Sequence, residues 1–304
     1  MLIPVLIGVF TIAFILNQMM PGDPVRQLIG ETSTEEIYQA MREKLGLNKP
    51  LIVQYWDYLV KLCTKGDLGV SYTTKQPVLL EIAQRMPTTM ILAGFCVLFS
   101  LGVGIPLGII AATWQNSAID YFSTTISLLG VSMPVFWQGL MNIIIFSVYL
   151  RWLPSSGFYG PAFWVLPVFT VGTSSMATIT RTTRSSMLEV IRQDYIRTAR
   201  AKGQTESKVI IFHALKNALI PIITVAGLQF GGLLSGAVIT ESVFAIPGVG
   251  KYMLDAISSR DYPVILGGVL ILAVLYSLVN LIVDVVYAYA DPRMKSQYRS
   301  APKK

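Results

Sequence analysis

The sequence predicts an all-α integral membrane protein with six transmembrane helices and both termini on the cytoplasmic side. Three observations predict it. Of 304 residues, 53% are hydrophobic and only 13% charged, whereas a water-soluble domain carries about a quarter charged residues. Runs without charge recur at lengths near the roughly 20 residues that a helix needs to cross a bilayer. The Lys and Arg residues, finally, gather between two of those runs and at the C-terminus.

The runs can be taken in order. MLIPVLIGVFTIAFILNQMM fills residues 1–20 and has neither a basic leader nor a small-x-small cleavage site, which predicts a retained helix. A second span is expected between Arg85 and Asp120, a third between Asp120 and Arg151, and a fourth between Arg151 and Arg181. The fifth covers Asn217–Thr240 and the sixth Tyr262–Val283. Gly104 and Gly108, and Gly232 and Gly236, have the G-x-x-x-G spacing that lets helix backbones approach closely.

Charge sets the orientation, because short cytoplasmic connections retain Lys and Arg. Arg181–Lys216 holds eight basic residues against three acidic, and Asp291–Lys304 five against one, so both are expected inside. The connection between spans five and six has two basic and three acidic residues and belongs outside. Residues 21–86 then form an extracytoplasmic segment, in which TSTEEIYQAMREKLGL reads as a helix capped by Ser33 or Thr34.

Within the basic connection, Asp194 is expected to cap a short helix and Gly203 to end it, with Thr205 capping a second helix. Spacing by 3.6 residues puts Ile211, Leu215 and Leu219 on one face of that second helix, and His213, Lys216 and Asn217 on another. A rigid pair of this kind can seat one face on its own helices and offer the other to a partner.

Composition and motifs exclude several classes. The net charge of +7 is not that of a nucleic-acid binder, because the basic residues lie between long apolar runs. Cys63 and Cys96, one histidine and no H-E-x-x-H or G-x-S-x-G leave no metal set, disulfide framework or catalytic triad. GVGKY has Tyr252 where a P-loop needs Ser or Thr and Ala245 where it needs the first glycine, so the chain is expected to bind no ATP itself. Polar side chains within the spans are the candidates for a transport pathway: Gln138 and Asn142 four apart in the third, Gln229 in the fifth, Asn280 in the sixth. Such amides also serve to bridge helices. Asp284 repeats the four-residue spacing from Asn280 near the cytoplasmic end.

DYIRTARAKG followed by HALKNALIP resembles the cytoplasmic EAA loop of ATP-binding-cassette importer permeases, in the form carried by dipeptide, oligopeptide and nickel permeases. On the general pattern EAA---G---------IxLP, Ala199, Gly203 and Leu215 match the second alanine, the glycine and the leucine. Arg197, Thr198, His213 and Lys216 depart from it. PGDP (Pro21–Pro24), DLGVSY (Asp67–Tyr72), SMPVFW (Ser132–Trp137), TRSSMLEV (Thr183–Val190), ESVFAIPGVGKY (Glu241–Tyr252) and RDYPV (Arg260–Val264) extend the likeness along nearly the whole chain.

The resemblance implies a type I importer permease fold with its core at 82–289, a coupling loop at 182–216 and a cytoplasmic tail at 290–304. It implies that Asp194, Tyr195, Arg197, Ala199, Arg200, Lys202, Gly203, His213 and Leu215 form the element that meets an ATPase. The implied partners are a second homologous permease, two ATPase subunits using ATP and magnesium, and an extracytoplasmic solute-binding protein, all at a bacterial or archaeal cytoplasmic membrane. Short peptides are the implied cargo, with nickel or a metal chelate as the alternative. An ion-coupled secondary transporter is the rival class, and would need intramembrane acids or broken inverted repeats.

Overall fold

The computed structural model describes residues 2–30 and 32–290; their regular structure is helical, joined by turns and irregular connections, with one isolated bridge between Val70 and Pro77. The chain begins with α1 (Leu2–Met19), α2 (Pro24–Ile29), α3 (Glu35–Lys44) and α4 (Leu51–Lys65). Then come α5 (Val78–Thr113), α6 (Ala118–Ser132) and α7 (Val135–Asn142), the last continuing as a π-helical stretch, Ile143–Tyr149. Next are α8 (Pro161–Ile191), α9 (Asp194–Ala201) and the single turn α10 (Glu206–Lys208), which runs through a second π stretch, Val209–Leu215, into α11 (Lys216–Gly236). The last three are α12 (Val238–Val243), α13 (Val249–Ser258) and α14 (Tyr262–Ala290). Apart from Ala290, the tail expected at 290–304 lies outside the described residues.

By length and composition α5, α8, the stretch Glu206–Leu234 and α14 can each cross a membrane, and α6 with α7 forms a pair bent by 101°. That is four spans and a broken one, against the six expected. The run between Asp120 and Arg151, read from sequence as one helix, is the broken one. Pro134 has no N–H to donate and forces Met133 into an extended conformation (φ −84°, ψ 130°), so the helix stops and restarts at a new angle. α1, at 18 residues, is about 27 Å long, close to the ~30 Å hydrocarbon core.

The chain divides into two compact units. The first comprises Met1–Thr89 and Pro247–Leu275. Its core joins Phe10 and Phe14 of α1, Val78 and Ile82 of α5, Tyr252 and Met253 of α13, and Leu266 and Leu270 of α14. Two buried carboxylates hold its polar seams. Asp261 accepts from the Ser71 hydroxyl and from the backbone N–H groups of Tyr72 and Thr73. Glu81 accepts from Tyr252 and Thr74, while the Arg85 guanidinium lies 4.2 Å from the centre of the Tyr252 ring. Thr34 takes the N-cap position of α3, as expected, but without a side-chain capping bond; the Ser33 hydroxyl donates to Ile29 instead.

The second unit comprises Met90–Ile246 and Tyr276–Lys304 and is built around α8. α8 is buried at many positions from Leu166 to Met187, and α6, α7 and α11 pack on it. Gly104 and Gly108 do face a close neighbour: a Cβ on Gly108 would stand 2.5 Å from Thr183 Cβ and 2.7 Å from the Thr180 carbonyl oxygen. On α11 the expected glycine pair is Gly232 and Gly236, and the surroundings of Gly236 lie outside the described residues. Gly227 and Gly231 meet Val283 and Val279 of α14, while Gly232 has open space before it.

Candidate functional site

The loop after α8 folds into the helix, glycine break and helix expected of it, with its boundaries moved. α8 runs on to Ile191, so Arg181 and Arg184 belong to the span rather than to the loop. Asp194 is the first residue of α9, and Gln193 holds the N-cap position, so Asp194 supplies first-turn charge rather than a cap. Gly203 has φ +77°, its N–H donates to the Arg200 carbonyl at 2.9 Å, and the Gln204 N–H reaches the Ala199 carbonyl at 3.4 Å. This paired closure requires a left-handed residue after the last helical turn, which glycine adopts without a Cβ penalty.

Burial fixes which side of the loop is free. Ile196 and Ala199 turn inward and join Val209, Ile210, Ala214, Ala218, Met187 and Ala112 in one apolar cluster. Asp194, Tyr195, Arg197, Thr198, Arg200 and Lys202 remain exposed. Beyond the break Val209, Ile210, Ala214 and Ala218 are buried, while Ile211 is exposed and Leu215 and Leu219 are half-buried. The face predicted from Ile211, Leu215 and Leu219 is therefore displaced by one residue. Both triplets keep the same i, i+4, i+8 period, so the difference is one of phase, set by how Val209 and Ile210 seat on the cluster with Met187 and Ile196.

Side-chain bonds tie the pair into one body. Arg200 donates to Glu206 through Nε at 3.1 Å and Nη2 at 2.6 Å, bridging the glycine break, and the bonded carboxylate holds the Arg200 guanidinium above its ordinary pKa. His213 Nε2 lies 3.1 Å from Gln204 Oε1, so the tautomer protonated at Nε2 donates to that acceptor. Asn217 Nδ2 donates to Tyr195 Oη at 3.0 Å, joining α9 to the first turn of α11. A cleft of about 580 Å³ opens beside the clasp, walled by Ile109, Trp114, Ile191 and Ile210. Arg197 makes only a loose 3.6 Å approach to Asp194, with both side chains exposed. Sequence reasoning singled out Arg200 but missed Glu206 and Gln204, whose partners lie six and nine positions away, outside helical spacing.

The four amides fall into two pairs. Gln138 Nε2 donates to Thr173 Oγ1 at 2.7 Å and Asn142 Nδ2 to Thr170 Oγ1 at 2.9 Å, so both bridge α7 to α8. Gln138 Oε1 and Asn280 Oδ1 are buried without a hydrogen-bond partner. Gln229 is half-buried on α11. Asp284 is exposed. Among the described residues, no three His, Cys, Asp or Glu side chains converge as a metal set.

Apolar helices of spanning length, with a rigid basic helix pair between the fourth and fifth runs, define the membrane subunit of a transporter. The chain belongs to the family of binding-protein-dependent transport system inner membrane components, whose model matches residues 104–296. The N-terminal model of the same kind of component matches residues 1–93. The chain is 44% identical to the dipeptide transport system permease protein DppB of Alkalihalophilus pseudofirmus, over 97% of each chain. It is 43% identical to the di/tripeptide transport system permease protein DppB of Pseudomonas aeruginosa, over 98% of this chain and 97% of that one. It is also 41% identical to the glutathione transport system permease protein GsiC of Escherichia coli O6:H1, over 97% and 96%. Among solved structures, an inward-facing form of the MetNI methionine ABC transporter matches with TM-score 0.57 and 17% identity, covering 70% of this chain and 97% of that one. The fold is that of an ABC importer permease.

Proposed function

We propose that this chain pairs with a second, homologous permease to form the membrane pathway of an ATP-driven importer of short peptides. α9 is the element that ATPase closure moves. The observation that carries the reading is the exposed face of α9 on a body held together across its own break by Arg200–Glu206, His213–Gln204 and Tyr195–Asn217. A lever has to be stiff between the point where it is pushed and the span it moves: Tyr195–Asn217 joins α9 directly to α11, while Arg200–Glu206 and His213–Gln204 brace the break and the turns that lead into it.

Two ATPase subunits supply ATP and magnesium chemistry from the cytoplasm, and an extracytoplasmic binding protein delivers cargo. Names of relatives that specify dipeptides, di- and tripeptides and glutathione support small peptides as that cargo. Arg197 of α9 and Lys202 just beyond it are the cations left to meet the ATPase, since Arg200 is held by Glu206. Gln229 and Asn280 are the amides offered to the pathway, and the unpartnered Oε1 of Gln138 leaves that residue an acceptor as well. Gln138 and Asn142 position α7 beside it.

The test is peptide uptake per ATP hydrolysed in proteoliposomes holding the complete complex. Arg197→Glu with Lys202→Glu reverses charge on the free face while leaving the apolar cluster intact. Uptake and stimulated hydrolysis should both fall at least tenfold with assembly retained. Wild-type coupling in that variant would refute the docking assignment.

A further inference from the structure

Within the first unit, α4 lies against α1, and its outer surface divides into three sectors. Tyr55, Tyr58, Leu59 and Leu62 pack on the core of the unit. Ile52, Trp56 and Val60, spaced by four, stand 65%, 57% and 56% exposed, with Val53 and Cys63 beside them. Gln54, Asp57, Lys61, Thr64 and Lys65 fill the remaining sector. A helix wholly in water has no use for the exposed apolar strip, and one wholly in lipid could not carry the polar strip.

The contacts with α1 set the depth. The Tyr55 and Tyr58 rings each lie 5.2 Å from the Phe10 ring, and Tyr55 also meets Phe14 edge-on at 5.4 Å. From Phe10 to the end of α1 at Met19 is about 13 Å of helix, against a hydrocarbon half-thickness of roughly 15 Å. Both phenols are bonded inside the protein, Tyr55 with the Thr11 hydroxyl at 2.9 Å and Tyr58 to the Leu68 carbonyl at 3.1 Å, as a site without water requires. The outward face of α1 is apolar as well, with Ile7, Ile12, Ile15, Leu16 and Met19 exposed.

We infer that α4 is sunk into the outer leaflet beside α1, with Ile52, Trp56 and Val60 among acyl chains. The occupant of this face is lipid. Lys61 and Lys65, on the polar sector, extend their charge away from it while their stems stay in apolar surroundings. The segment 21–86 is then anchored along the membrane rather than standing clear of it. This inference rests on reading α1 as a span.

Spin labels test it in the complete complex, reconstituted in phosphatidylcholine–phosphatidylglycerol liposomes on a Cys63→Ser background. Labels at Ile52→Cys, Trp56→Cys and Val60→Cys should collide several-fold more often with oxygen than with a water-soluble nickel chelate. Labels at Lys61→Cys and Thr64→Cys should show the reverse. Ile12→Cys and Ile15→Cys report on α1 itself. Nickel access at the Ile52 strip, with α1 positions still oxygen-selective, overturns the inference for α4 alone. Nickel access at both overturns the α1 reading with it. Shielding of the strip from both reagents means a protein covers it, and also overturns the inference.

Discussion

Arg184 of α8 holds Asp120 of α6 with two donors, Nε to Oδ1 at 2.7 Å and Nη2 to Oδ2 at 2.8 Å. Asp120 is 3% exposed, and it also accepts from the Asn116 backbone N–H at 3.0 Å. Counted from sequence, Arg184 is one of eight positive charges that orient the chain. In the structure it is the counter-ion of a buried carboxylate at the start of a span. Its charge is committed to holding two helices together.

Removing the guanidinium should therefore leave Asp120 buried and unpaired. Breaking a buried pair costs about 3–5 kcal/mol, and with Arg184 itself 30% exposed the lower end is expected. Arg184→Ala should lower the melting temperature of the detergent-solubilised complex clearly more than Arg184→Ala combined with Asp120→Asn. Equal losses in the two variants would mean that the pair contributes no coupling of its own.

Gly203 supports a graded series. A Cβ there meets nothing within 4 Å, so Gly203→Ala suffers only the left-handed backbone, about 1–2 kcal/mol. Gly203→Pro cannot reach φ +77° and also loses the N–H bonded to Arg200, a change worth roughly 3 kcal/mol or more. Uptake per ATP should decline in the order wild type, Ala, Pro. A Pro variant as well coupled as wild type would show that the break needs no defined shape.

Much of this was legible before any coordinates. The glycine break, the short helix from Asp194 and the placement of the basic pair between apolar runs follow from local rules that act over a few residues. What was not legible depends on partners far along the chain or on departures from regular helix. Pro134 in SMPVFW carried the signal for the bend in the third span, but a hydropathy reading passes over it. The phase of the second helix is set by how Val209 and Ile210 seat against Met187 and Ile196, earlier along the chain, so the buried face lies one residue from the expected one. The spacing of Gly232 and Gly236 looked like that of Gly104 and Gly108, yet only a neighbouring helix decides which glycine is needed, and α14 selects Gly227 and Gly231.

The glycines accordingly separate in a direct comparison. Gly108→Ala would push a methyl group against Thr183 Cβ and the Thr180 carbonyl, and the α5–α8 contact would have to open. Overpacking of that kind costs about 1–3 kcal/mol. Gly232→Ala meets no atom of this chain within 4 Å. Thermal melting of the isolated subunit in detergent should drop for the first and stay unchanged for the second. If Gly232→Ala impairs assembly with the second permease while sparing the subunit, the open space before it is a subunit contact.

The bond from Asn217 Nδ2 to Tyr195 Oη joins the exposed face of α9 to α11, and Asn217 also donates to the His213 carbonyl at 3.1 Å. Tyr195→Phe keeps the ring and removes only the acceptor. At this exposed position the loss should be about 1 kcal/mol or less in stability. Its effect on coupling should be larger in proportion, because this bond is the direct side-chain tie between α9 and α11, and a push would then travel through the Arg200–Glu206 clasp, the backbone and the apolar cluster around Ile196. The expected result is near-normal ATP hydrolysis with uptake per ATP reduced two- to fivefold. Ile196→Ala should instead lower stability by about 2–5 kcal/mol and depress hydrolysis and uptake together, since it opens the cluster that seats the loop. Should Tyr195→Phe and Ile196→Ala give the same ratio of uptake to hydrolysis, the phenol–amide tie carries no motion and the apolar seat alone transmits it.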